Sequence, residues 1–165
     1  MKNLKILNGF IVSFVLASII CYFITPIFQN PDQRTIPDIE NVSVFYMAIS
    51  MKYTGIPFFC IIILSTALVL IKRNNKIWLI TMAATQTFSA LFIAFLLYGY
   101  YSLINTYSNT YSDFDRANIL KPGYGIYLNL VFIIFAIVLS ITGLVIKIKN
   151  KKVSADTAER AKRKA

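Results

Sequence analysis

The chain has 165 residues, 57 % of them apolar and 15 % charged, with 17 Lys+Arg against 7 Asp+Glu, a formal charge of +10, two Cys and no His. A soluble domain usually has about a quarter of its residues charged, so this composition excludes a water-soluble fold with enough polar surface to cover its core. The missing His removes the usual metal ligand and the usual base near neutral pH, which excludes His-dependent zinc hydrolases and triads.

Four windows lack any charged residue: between Lys5 and Asp32, Lys52 and Lys72, Lys76 and Asp113, and Lys121 and Lys147. Each is long enough for the roughly 20 residues that cross ~30 Å of hydrocarbon at ~1.5 Å per residue. A backbone in lipid must satisfy its own hydrogen bonds, and an open sheet does not. The expected fold is therefore an all-α membrane protein, a four-transmembrane-helix bundle over 1–150 with spans at 7–28, 55–71, 77–100 and 125–146, followed by a basic tail at 151–165.

The first span follows Lys2 and Lys5 but is longer than a signal-peptide core and has no A-x-A-like site at its end, so it reads as a retained helix. It carries Gly9, Ser13, Ala17, Cys21 and Thr25 at an unbroken spacing of four. Small residues let helices approach closely in lipid, so this stripe packs either the chain's own helices or a partner's.

In the first outer connection, Thr35-Ile36-Pro37-Asp38-Ile39-Glu40 has an early Pro and acids in the first turn, the pattern of a helix start. A mostly apolar run from Val42 to Met51 follows, so a short outer helix is expected before a break at Gly55 and Pro57. The second span carries Cys60, at a depth similar to Cys21; without a C-x-x-C pair or a nearby base, both read as small apolar residues rather than a redox pair.

Lys72, Arg73 and Lys76 form a tight connection to the third span, where Trp78 marks the boundary. Gln86, with Thr81, Thr85, Thr87 and Ser89, makes this span the most polar, and a small-residue seam runs through Ala83, Thr87, Ala90 and Ala94. The second outer connection, 102–123, is rich in Tyr, Asn, Ser and Thr and reads as irregular. In the fourth span Asn129, Ile133, Ala136, Ser140 and Gly143 step by four, three, four and three, the seam of a left-handed bundle. Gln86 and Asn129 are expected to make interhelical hydrogen bonds worth ~0.6 kcal/mol each.

Orientation follows from the basic residues. Thirteen of the 17 lie at the amino end, the 72–76 connection and the tail, while the other two connections hold four and five of the seven acids. Positive-inside bias places both termini in the cytoplasm of a cell membrane, with an outer belt formed by Tyr22, Phe23, Tyr53, Phe58, Tyr98 and Tyr124 among others. The same split explains the high charge without nucleic acid, and the tail's lysines suit an anionic leaflet.

No Asp, Glu, Lys or Arg lies inside a span, which argues against a proton- or ion-coupled pump. Acid/base chemistry would have to come from Asp38 and Glu40, or from Asp113 and Asp115 beside Arg116, pairs whose spacing shares no helix face. No nucleotide, metal or nucleophile motif is present, so no catalytic residue, cofactor or metal is assigned.

With inside termini, two outer connections and a tight inner turn, and with Gly123-Tyr124-Gly125-Ile126-Tyr127 opening the last helix, the chain resembles the four-span claudin and tetraspanin type. It departs from that type in having no Cys or Trp in its outer connections, and no family residue is carried over. The expectation is a non-enzymatic protein that binds a membrane-protein partner or a second copy, as accessory subunit, assembly factor or immunity-type protein. The alternative is a small oligomeric channel or transporter lined by the third helix with Gln86.

Overall fold

The computed structural model describes residues 2–29, 41–50, 53–71, 75–110 and 121–162. In chain order these form α1 (Lys2–Ile24), β1 (Pro26–Gln29), β2 (Asn41–Ser43), α2 (Val44–Ser50), α3 (Gly55–Leu70), α4 (Lys76–Thr110), β3 (Lys121–Pro122) and α5 (Tyr124–Lys162). Helix dominates, and α1, α4 and α5 are each long and apolar enough to cross a membrane. α3 is apolar but has 16 residues, about 24 Å of helix against a hydrocarbon core of about 30 Å.

α5 is the central helix, packed along α1 and α4, while α3 leans on α4. Two glycines fix its register. A Cβ at Gly143 would lie 3.2 Å from Leu7 on α1 and 3.2 Å from Leu79 on α4. At the other end a Cβ at Gly125 would strike the Pro26 carbonyl oxygen and lie 2.6 Å from the Thr25 hydroxyl. The start of α1 and the late part of α5 therefore share one end of the molecule, here the tail end. The strands gather at the opposite, sheet end.

Each helix buries a stripe of period near 3.5. On α5 this is Ile126, Asn129, Ile133, Ala136, Ser140 and Gly143; on α4 it includes Leu79, Met82, Gln86, Ser89, Ile93 and Leu96. The outward faces stay apolar, with Ile134, Phe135, Val138 and Ile141 of α5 about half exposed. Such faces would be unfavourable in water and are ordinary against lipid.

The interior divides into two clusters. The sheet-end cluster contains Tyr22, Met47, Phe58, Phe92, Ile93, Leu96 and Ile133. The tail-end cluster contains Ile11, Val15, Leu68, Trp78, Leu79, Met82 and Ala136. Between them in sequence position lie buried Ser18 of α1, Ser65 of α3, and Thr85, Gln86 and Ser89 of α4, a polar layer across three helices.

Several boundaries differ from the sequence expectation. The first helix ends at Ile24 rather than 28, because Pro26 has no N–H to donate and forces Thr25 out of helical geometry. The third helix runs ten residues past 100, to Thr110, through part of the connection expected to be irregular; no Gly or Pro interrupts 100–110. The fourth continues past 146 to Lys162, so the tail begins as an extension of the span. The expected short outer helix is α2, starting at Val44; the helix start expected at 35–40 lies outside the described residues.

The strands were not expected. β1 is the middle strand, antiparallel to both neighbours, with Gln29 opposite Asn41 of β2 and Lys121 of β3. Pro122 sits in an outer strand, where a missing donor is tolerated. At two to four residues each, the strands are too short to show the alternation by which strands are recognised in sequence.

Candidate functional site

The sheet end is the most elaborated part of the molecule. Its sheet ties the two long connections together, since β1 and β2 come from the first and β3 from the second. α2 lies beside it and is closed at both ends by side chains. The Ser43 hydroxyl accepts the Tyr46 N–H at 3.2 Å, as an N-cap does. The Thr54 hydroxyl donates to the Ala48 carbonyl at 2.8 Å and that of Ser50 to Met47 at 3.0 Å, which satisfies two carbonyls that a helix end otherwise leaves open.

Beneath this cap an aromatic cluster joins four helices. Phe58 is fully buried, with ring centroids 5.6 Å from Tyr22 of α1, 6.3 Å from Phe45 of α2 and 6.0 Å from Phe92 of α4. Tyr22 and Phe58, expected in an outer belt, thus face inward. The side of the helix on which they lie was not given by composition. The exposed tyrosines at this end are Tyr46, Tyr53, Tyr98, Tyr101, Tyr124 and Tyr127.

The small-residue stripe of α1 does not keep one face. Steps of four on a helix of 3.6 residues per turn rotate about 40° each time. Gly9 has open space where a Cβ would be and Ser13 is exposed, whereas Cys21 is buried. The face α1 turns inward is Asn8, Ile11, Val15, Ser18 and Tyr22. On α4, Thr87 and Ala94 of the expected seam are likewise exposed. The α5 seam alternates threes and fours, and all five of its residues are buried.

Gln86 and Asn129 are each 1 % exposed. The Gln86 Oε1 and both amide atoms of Asn129 have no hydrogen-bond partner among the described residues, where interhelical bonds were expected. Asn129 lies one turn from Ile126 and Ile133, both in the apolar sheet-end cluster. The nearby hydroxyls donate within their own helices, Thr85 to Thr81, Ser89 to Thr85 and Ser140 to Ala136. One side-chain link between helices joins Tyr22 to Ser89, and neither residue was singled out as its end by the sequence.

Cys21 and Cys60 are both free, the first buried and the second exposed. Cys60 lies in an apolar depression of about 410 Å³ between α3 and α4, adjoining a second of about 430 Å³ that shares Phe88. At the tail end, the Trp78 indole N–H donates to the Leu68 carbonyl at 2.7 Å; Trp78, expected as a boundary marker, is buried and joins α4 to α3. Asp38, Glu40, Asp113, Asp115 and Arg116 lie outside the described residues. Among the described residues no three His, Cys, Asp or Glu side chains come together as metal ligands.

No family model matches the chain, and neither a curated protein nor a solved structure shows significant similarity to it.

Proposed function

We propose that this is a four-span protein of the cell membrane that acts without catalysis, by binding another membrane protein at its sheet end. In this reading α3 is the fourth crossing and both termini are cytoplasmic, as the placement of 13 of 17 basic residues favours. The observation that carries it is the composite cap: two connections joined in one sheet and rimmed by six exposed tyrosines. Tyr is enriched at protein interfaces because it offers a large amphipathic surface at low entropy cost.

The test is crosslinking in native membranes with a photoreactive residue at Tyr46 or Tyr124. A discrete adduct to one protein, absent when the probe is moved to Ile141 on the lipid-facing side, is expected. Only lipid adducts, with a monodisperse monomer in mild detergent, would end this reading.

The channel or transporter alternative draws on the buried polar layer. Because Gln86 faces the chain's own interior, a path through it would run inside one bundle rather than along a ring of copies. Flux into liposomes that Gln86→Leu abolishes would replace the binding proposal.

A further inference from the structure

The Gln86 Oε1 and both amide atoms of Asn129 are buried without a partner among the described residues, and register keeps the two side chains from bonding each other. Gly143 of α5 meets Leu79 of α4. From that contact Gln86 is seven residues along α4 and Asn129 fourteen residues back along α5, which separates the two amides by about 10 Å along the axis. The hydroxyls of the interior do not fill the gap. Those of Ser18, Thr85, Ser89 and Ser140 each donate to a carbonyl of their own helix at 2.7–3.0 Å. Unpaired polar groups are costly in an apolar interior.

Asn129 decides the chemistry of what could pair with it. Its carbonyl oxygen needs a donor and its NH2 group an acceptor. A cation would serve only the first and an anion only the second, whereas water serves both. The surroundings also limit size, because Met82 and Ile133 are 0 % exposed and Ile93 is 1 %.

Asn129 stands level with Ile93 of α4 and, counted from the contact of Gly125 with Thr25 and Pro26, with Cys21 and Tyr22 of α1. The Tyr22–Ser89 link lies within one turn of that level. Ser89 gives its own proton to the Thr85 carbonyl, so the Tyr22 hydroxyl is the donor in the link and its oxygen keeps a lone pair. A buried water typically makes about three hydrogen bonds to groups otherwise unpaired.

We propose that the bundle interior binds water at two separate sites, one at Asn129 beside the Tyr22–Ser89 link and one at Gln86. These waters make the connections between helices that the two amides do not make directly. The proposal goes beyond the binding reading and does not depend on a partner at the sheet end.

The test is X-ray radiolytic labelling of the full-length protein in detergent, with a scavenger that removes hydroxyl radicals from bulk solvent and mass spectrometry as readout. A bound water releases its radical where it sits and oxidises the side chain beside it. Tyr22 reports on the Asn129 site and Met82, one turn from Gln86 on the same face, on the other. They are 2 % and 0 % exposed. Trp78, buried in the same way and more reactive by nature, is the dry control.

Tyr22 and Met82 are expected to be oxidised and Trp78 to stay unmodified. N129L removes the Tyr22 product and keeps that of Met82, and Q86L does the reverse. The far-UV spectrum and elution volume identify a misfolded variant, in which case Tyr22 and Met82 against Trp78 in the parent decide alone.

Absence of a product overturns the site it reports on, and products that neither variant reduces overturn both. Loss of both products in each variant overturns the two-site assignment in favour of one continuous file of water, as the channel alternative requires. A lost sheet-end crosslink with labelling intact would remove the proposed partner and leave the water sites standing.

Discussion

The two ends of the bundle solve the same packing problem with different materials. At the sheet end, rings from α1, α2, α3 and α4 meet around Phe58, and a glycine lets α5 touch the chain where it leaves α1. At the tail end, Ile, Val, Leu and Met fill the interior, and one indole hydrogen bond joins the start of α4 to the end of α3. A large ring contacts several helices at once, so the sheet end depends on a few positions. Aliphatic packing spreads the same task over many.

Phe58→Ala should therefore have the largest effect. Truncating a buried Phe costs about 3–5 kcal/mol, and this one holds four helices. Trp78, buried in the other cluster, reports on the two ends separately. The variant should lose hydrogen-exchange protection in α2 and the adjoining end of α3 at denaturant concentrations where Trp78 emission is still native. Simultaneous loss at both ends would show that the two clusters unfold as one unit.

Gly125→Ala comes next. Its methyl group would collide with the Pro26 carbonyl and the Thr25 side chain, and backbone cannot yield as a flexible side chain does. Overpacking of this kind costs about 1–3 kcal/mol. A lowered thermal midpoint with weakened tyrosine crosslinking at the cap is expected. An unchanged midpoint would mean that α1 and α5 do not meet there.

Trp78→Phe tests the tail end. It keeps a ring and removes the donor to the Leu68 carbonyl, a hydrogen bond worth about 0.5–1.5 kcal/mol net. Loss of protection confined to the facing ends of α3 and α4, with the sheet end unaltered, would extend the contrast between the two ends.

How much of this the sequence shows depends on the length scale of each signal. Charge-free windows of 20 residues or more locate the long helices, because exclusion of charge from lipid acts on every residue of a span. The α5 seam is legible because alternating threes and fours stay on one face. Which side Tyr22 and Phe58 take is not legible, since depth in a membrane constrains the residue type and only neighbouring helices constrain its direction. The sheet is illegible for another reason: three strands of two to four residues are specified by the chain reversals that bring them together, and those lie far apart in sequence. Of the candidate site, the aromatic residues at the helix ends are visible in the sequence, but their union into one cap is not.

Gly9→Ala should have the smallest effect, and its sign is what matters. The same substitution that clashes at Gly125 meets nothing within 4 Å at Gly9, and Ala is favoured over Gly inside a helix by about 0.5–1 kcal/mol. In detergent the variant should melt slightly higher than the parent. A partner helix seated on Gly9 and Ser13 would need the missing side chain for close approach, so in native membranes the variant would lose that partner while gaining stability. A higher midpoint together with unchanged crosslinking leaves Gly9 facing lipid, and with it binding is confined to the sheet end. A higher midpoint with a lost crosslink would move the interface to the exposed part of α1 near the tail end, reversing the assignment of function between the two ends.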